Sequence, residues 1–223
     1  MKKYIRNKIK SLFLKKGGVV SYYSIDDNLT ALDLINSVKK EVDFLMSYDE
    51  AYNIFFLSKA MNKLEGNFAE VGCYQGGSSK LILANLRAGS SFYVFDTFEG
   101  LTNLITEDKD SKRFQAGQFA CSLDKVKEYL NDERVVYTKG IFPNSANGLK
   151  SQEFSFVHLD LDLYKATLDS LEYFYPKMVV GGILVSHDYS TADGVRNAFD
   201  EFALKHNICV IPLSGSQAMI IRV

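Results

Sequence analysis

The stretch Phe68–Ser79, FAEVGCYQGGSS, decides the fold. Phe68, Ala69, Val71 and Cys73 are the apolar or small members of a short buried run that reads as a strand, with Glu70 and Gly72 set inside it. Gly76 and Gly77 break the run, and Ser78–Ser79 open the amphipathic KLILANL, so a helix is expected over 78–87. Strand, glycine turn and helix N-terminus together make a site for a nucleotide-like ligand. Glycine lets the backbone come close, and the first helical turn has free N–H groups. The spacing is E-x-G-x-x-x-G rather than the G-x-G-x-x-G of dinucleotide enzymes. A carboxylate beside the loop repels a pyrophosphate but suits a cationic amino-acid ligand such as S-adenosylmethionine. A tight βα turn with no ligand is the alternative at this point.

Downstream the pattern alternates. Strands are expected at 68–73, 92–96, 135–137, 154–160 and 183–187. Helices are expected at 122–130, capped by Ser122, at 166–175, ended by Pro176, and at 194–206. Thr97–Gly117 reads as a long irregular connection, and Gly181–Gly182 as a turn before the fifth strand. Two strands, 208–213 and 218–223, close the chain across SGSQ. Strands separated by helices imply an α/β fold with a doubly wound, mostly parallel sheet, and the final hairpin adds an antiparallel last strand.

Upstream, 29–45 and 48–64 read as helices, the second capped by Ser47 or Asp49. Helices ahead of a nucleotide loop often cover the open edge of a site, and Tyr22, Tyr23 and Tyr48 are candidate substrate contacts or packing tyrosines. Met1–Lys16 has seven Lys or Arg and no acid; the first carboxylate is Asp26. Ile5, Ile9, Leu12 and Phe13 fall at helical spacing, so the segment reads either as a basic amphipathic helix for an anionic membrane surface or neighbouring subunit, or as a solvated terminus. It lacks the apolar core of a secretory signal, and no apolar run has the length of a membrane span. Three cysteines, Cys73, Cys121 and Cys209, have neither the number nor the spacing of a disulfide framework or a zinc site, which fits a reducing cytoplasm. A net charge of −1 gives no sign of a nucleic-acid partner.

In doubly wound sheets the ligand lies beyond the carboxyl ends of the strands. Those ends carry Glu70–Gly72, then Asp96, placed to accept ribose hydroxyls, then Lys139–Gly140–Ile141, Asp160-Leu-Asp162 and His187–Asp188. Carboxylates with an imidazole suit a divalent cation: Mg²⁺ where oxygens dominate, while His187 favours Mn²⁺, Fe²⁺ or Zn²⁺. Asp160 as a helix cap and His187 as a packed core histidine are the alternatives.

From about Tyr48 onward the chain resembles the macrocin O-methyltransferase family of class I S-adenosylmethionine-dependent methyltransferases. The resemblance rests on FAEVGCYQGGSS, VFDTFEGL (94–101), KGIFPNS (139–145), VHLDLDLYKATLDSLEYFYPK (157–177) and GGILVSHDYSTADGVRNAFDEF (181–202). It implies a Rossmann-like domain over 46–223; residues 1–45 carry none of the resemblance and read from their own pattern as a basic segment and helical cap. It also implies cofactor contacts from Glu70, Gly72, Tyr74, Gly76, Ser78, Asp96, Thr97, Phe98, Gly140, Ile141 and Asp160. Asp160, His187 and Asp188 would hold the cation, with Mg²⁺ as the default. Asp160, Asp162 or His187 would serve catalysis, taking the proton from the acceptor. The family's pair is usually Asp-Asp before Tyr, and here it is His187–Asp188–Tyr189, which leaves open an imidazole ligand, a two-carboxylate site completed by water, or no metal with His187 as base. The expected activity is methyl transfer to a hydroxyl of a sugar, glycan precursor or natural product, by a homo-oligomer in the cytoplasm, with peripheral membrane contact through the basic terminus. A metal-independent phenolic methyltransferase and a non-catalytic cofactor-binding subunit are the rival expectations.

Overall fold

The computed structural model describes residues 26–102, 114–146, 149 and 151–223. Met1–Lys16, Tyr22 and Tyr23, and part of the 97–117 connection lie outside the described residues. Five parallel strands form the body of the sheet: β1 (Asn67–Val71), β2 (Phe92–Asp96), β3 (Val135–Lys139), β4 (Phe154–Leu159) and β5 (Met178–Ser186). The hairpin β6 (Ile211–Pro212) and β7 (Ala218–Ile221) completes it, β7 running antiparallel to both β5 and β6. The order is β3-β2-β1-β4-β5-β7-β6, as the alternation predicts for a doubly wound sheet with an antiparallel last strand. The chain builds outward from β1 through β2 to β3, then returns to lay β4 on the other flank of β1. The switch point is therefore between β1 and β4.

The inner strands are apolar on both faces because helices cover both. On one side α1 (Asp26–Glu41), from Leu34 onward, α2 (Tyr48–Met61), α3 (Gly77–Leu83) and α4 (Leu123–Leu130) pack with Phe68, Phe92 and Phe156. On the other, α5 (Tyr164–Phe174) and α6 (Asp193–His206) pack with Phe95, Phe154 and Leu184. Full burial of a ring such as Phe68 or Phe154 contributes roughly 2–3 kcal/mol. Sheet and helical layers belong to the unit Leu34–Val223; of the unit Met1–Asp33, residues 26–33 are described, as the opening of α1.

Several elements differ from expectation. Helix α1 stops at Glu41, and 42–46 is an irregular strap ahead of the Ser47 cap. Gly181–Gly182 is no turn. It lies within β5, which starts at Met178 and bulges so that Met178–Ile183 faces Phe154–Phe156. A Cβ on Gly182 would come within 3.0 Å of the Ser155 carbonyl oxygen, so glycine allows the bulge to close against β4. The predicted strand 208–213 shrinks to Ile211–Pro212.

Candidate active site

A cavity of about 770 Å³ opens at the switch point, walled by the carboxyl ends of the five parallel strands and by the 43–46 strap. Its floor is the glycine loop. Gly72, at φ +86°, lies so near the end of β4 that a Cβ would collide with the Asp160 carbonyl oxygen. The sequence gives this glycine to the ligand; the packing assigns it first to the meeting of β1 and β4. Gly76, at φ +83°, caps α3, and Gly77 receives the ring of Phe44 from the strap. Two more contacts tie the strap to the loop: the Tyr74 hydroxyl donates to Asp43 (3.1 Å), and the Asp43 N–H donates to Gln75 (2.9 Å).

Asp96, at the end of β2, fixes the loop from the other side. Its Oδ2 accepts the N–H groups of Cys73 (2.8 Å) and Tyr74 (3.2 Å), and its Oδ1 accepts the Phe98 N–H (2.7 Å). Each carboxylate oxygen has two lone pairs, so Oδ2 is filled while Oδ1 keeps capacity for a further donor such as a ribose hydroxyl. Gly140 and Ile141 wall the same end of the cavity beyond β3.

The opposite end is acidic. Asp160 follows β4, and His187 and Asp188 follow β5; one ligand atom from each lies within 4.8 Å of the others. The His187 ring sits among them, its Nδ1 3.0 Å from Asp188 Oδ2 and 3.3 Å from Asp160 Oδ1. Its Nε2, buried and without a hydrogen bond, is 3.6 Å from Glu50 Oε2. Burial pushes the imidazole pKa down, but the charges and contacts of Asp160, Asp188 and Glu50 overcome this and hold it well above the usual histidine range. Burial pushes Asp162 up, and the Asp160 and Asp188 charges push it further, to about 8. Burial opposes ionisation of Asp188 as well, but His187 and Thr191 outweigh it and the carboxyl stays below its usual value. Three carboxylates, Asp160, Asp188 and Glu50, thus lie against one imidazole. This excess of hard oxygen donors, converging with a nitrogen on one point, fits a divalent cation.

Of the residues picked from sequence, Gly72, Tyr74, Ser78, Asp96, Thr97, Gly140, Ile141, Asp160, Asp162, His187 and Asp188 share this one cavity. Glu70, Gly76 and Phe98 are not on its wall. Glu70 is fully buried behind it, accepting from Ser79 Oγ and lying 2.8 Å from His158 Nδ1. It shapes the loop from beneath, by joining β1, β4 and α3. Phe98 turns into the core. Tyr48 also lies off the wall, its hydroxyl donating to Asn36. Sequence reasoning missed the strap and Glu50. The second had a signal, since Ser47-x-x-Glu50 is a capping box at the start of α2.

Residues 56–214 match the family model described as Macrocin-O-methyltransferase (TylF). Among curated proteins, the demethyldecarbamoylnovobiocin O-methyltransferase of Streptomyces niveus is 28% identical over 161 residues, covering 66% of this chain and 62% of that protein. The 8-demethyl-8-(2,3-dimethoxy-alpha-L-rhamnosyl)-tetracenomycin-C 4'-O-methyltransferase of Streptomyces olivaceus is 29% identical over 157 residues, covering 64% and 60%. The chain therefore spans a little over three fifths of the length of the curated relatives it matches. Among solved structures, the O-methyltransferase NovP superposes with a TM-score of 0.70 at 22% identity, over 81% of this chain and 82% of that one. A Bacillus cereus O-methyltransferase in complex with SAH superposes at 0.54 and 14% identity, over 89% and 92%. These superpositions establish a shared fold. No helix among the described residues is long and apolar enough to cross a membrane.

Proposed function

The chain belongs to the macrocin O-methyltransferase (TylF) family, and from that premise we propose that it transfers a methyl group from S-adenosylmethionine to a hydroxyl of a sugar or other natural-product acceptor, assisted by a divalent cation. The observation that carries this reading is the meeting, in one cavity, of the glycine loop and Asp96 at one end with Asp160, His187 and Asp188 at the other. The rhamnosyl compound in the name of the Streptomyces olivaceus relative supports a sugar acceptor.

In this reading the glycine loop holds the amino-acid end of the cofactor, Asp96 the ribose, and Gly140–Ile141 the adenine. The strap and loop fix the direction of the sulfonium, and the task is largely one of aligning methyl donor and acceptor oxygen. Asp160, His187 and Asp188 hold the cation. A bound cation lowers the acceptor hydroxyl's pKa and orients it. Both ring nitrogens of His187 face carboxylates, which leaves it a ligand or a fixed cation rather than the base. Asp162, whose carboxyl is pushed up to about 8 when no cation answers Asp160 and Asp188, is the group this reading leaves to receive the acceptor proton.

A metal-free version of the same transfer has one observation in its favour. The His187 imidazole, held well above its ordinary pKa by three carboxylates, is itself a positive charge at the acceptor end. Calorimetric titration with S-adenosylhomocysteine, with Mg²⁺ and with chelator, followed by labelled-methyl transfer to glycosylated acceptors, tests both. Micromolar binding with chelator-sensitive turnover is expected, and Asp160→Asn and Asp188→Asn are expected to abolish turnover while sparing cofactor binding. Absence of binding in both conditions would refute the methyltransferase reading, and turnover indifferent to chelator would refute the cation.

A further inference from the structure

We propose that Glu50 is a positioning residue for the candidate cation site: from helix α2 its carboxylate holds the far side of the His187 ring, so that Nδ1 stays turned toward Asp160 and Asp188. The proposal rests on the cation reading above. Three observations carry it.

First, Glu50 is buried where a helix cap has no need to be. Its Oε2 accepts the Ser47 N–H and Oγ (both 2.8 Å) in the capping box, an arrangement that works equally well in water. Yet the residue is only 8% exposed, and burying a carboxylate is unfavourable unless something charged or polar answers it. Second, the carboxylate is immobilised from the opposite end of the chain. Its Oε1 accepts the Ser216 N–H (2.8 Å) and Oγ (2.6 Å) from the β6–β7 turn. That turn is shaped around it, since a Cβ on Gly215 would come within 2.6 Å of Glu50 Cγ. Four hydrogen bonds leave the side chain no other rotamer, so it acts as a fixed post. Third, the group facing the post is the buried, unbonded Nε2 of His187, at 3.6 Å. This is an ion-pair distance, longer than a hydrogen bond. The imidazole thus lies between a fixed carboxylate on its Nε2 side and the two proposed ligand carboxylates on its Nδ1 side.

Histidines that ligate metals ordinarily turn their second nitrogen to a carboxylate or carbonyl. The partner fixes the ring's tautomer and direction, and its loss weakens metal binding by about 10- to 100-fold. An aspartate at position 187 would need no such support. A histidine there does, and Glu50 is the group in place to give it.

The test is Mn²⁺ binding to the full-length, chelator-stripped protein, read by calorimetry and by the electron paramagnetic resonance of free Mn²⁺, with thermal melting alongside. Glu50→Gln keeps the shape and most hydrogen bonds but removes the charge; it is expected to weaken Mn²⁺ by about 10- to 100-fold. Ser47→Ala damages the helix cap and leaves the carboxylate in place. It is expected to lower the melting temperature with Mn²⁺ affinity near the wild-type value. In a His187→Ala background, Glu50→Gln is expected to add nothing further to the loss. If Glu50→Gln does not fold, Glu50→Asp, which keeps the charge and withdraws it by one methylene, is titrated instead and is expected to weaken Mn²⁺ binding. If Glu50→Gln and Ser47→Ala lower stability alike while Mn²⁺ affinity stays unchanged in both, Glu50 is only a cap and the proposal is overturned. Wild-type protein that binds S-adenosylhomocysteine but no Mn²⁺ overturns it together with the cation, and leaves methyl transfer standing. Glu50-dependent Mn²⁺ binding without any cofactor binding upholds it, and removes the methyltransferase reading instead.

Discussion

Gly72→Ala is the substitution whose effect the geometry defines best. Two penalties apply. At φ +86° an alanine pays the left-handed steric cost, about 1–2 kcal/mol. Its methyl also meets the Asp160 carbonyl oxygen, so the ends of β1 and β4 must part by about 1 Å before it fits. Parting them stretches the bond from Asp160 N–H to Val71 C=O (2.9 Å), which contributes about 1 kcal/mol. The total is about 2–3 kcal/mol. Gly89 provides the control, because it has nearly the same φ, +82°, with nothing within 4 Å of the position its Cβ would take. Gly89→Ala should therefore lose only the left-handed term, about 1–2 kcal/mol. Equilibrium urea unfolding of both variants measures the difference. Turnover gives a second readout, since moving Asp160 by about 1 Å should slow transfer by about 100-fold where Gly89→Ala does not. Equal destabilisation by the two alanines would refute the contact argument, whatever the size of the loss.

Two further outcomes follow from buried charge. Asp162, at about 8 in the folded chain against an ordinary 3.8, binds its proton more tightly folded than unfolded. Its contribution to stability is therefore complete below pH about 4 and is lost as pH rises toward 8. With chelator present, Asp162→Asn should flatten the fall in urea midpoint between pH 5 and pH 8, and a parallel profile would count against the shift. Glu70→Ala leaves His158 and Ser79 without their buried partner and should cost at least about 3 kcal/mol. Glu70→Gln should cost clearly less, and equal losses would show that the pairing contributes little.

The sheet was readable from sequence because its strands are short apolar runs punctuated by glycine, and stretches of helical periodicity separate them, one of them capped by Ser122. Strand ends were readable as well: FSFVHLDLDLY and SHDYS announce polar groups at the point where an apolar run stops, and Asp160, His187 and Asp188 do converge. Three things were not visible. Gly181–Gly182 has the composition of a turn, and only the approach of Ser155 makes it a bulge. Glu70 sits among ligand-facing neighbours in the sequence, but strand alternation turns it to the α3 side, where Ser79 and His158 wait. Glu50 lies on a helix far from any strand end, so no spacing rule connects it with His187. Such pairings depend on which layers stack, and that information is spread over the whole core.

The bond between Glu50 and Ser216 spans 166 positions. It gives the acidic end of the cavity a different history from the glycine loop during synthesis. The loop, β1 and α3 involve neighbours in sequence and are free to organise early, whereas the post behind His187 is locked only after the last hairpin has left the ribosome and paired with β5. Contacts of such long separation form slowly, because the chain must close a large loop before gaining anything from them. A nascent chain halted before residue 214 would carry the cofactor loop without a finished acidic end. On the proposed reading, capacity to bind the donor is expected to precede capacity to hold a cation as each chain is made.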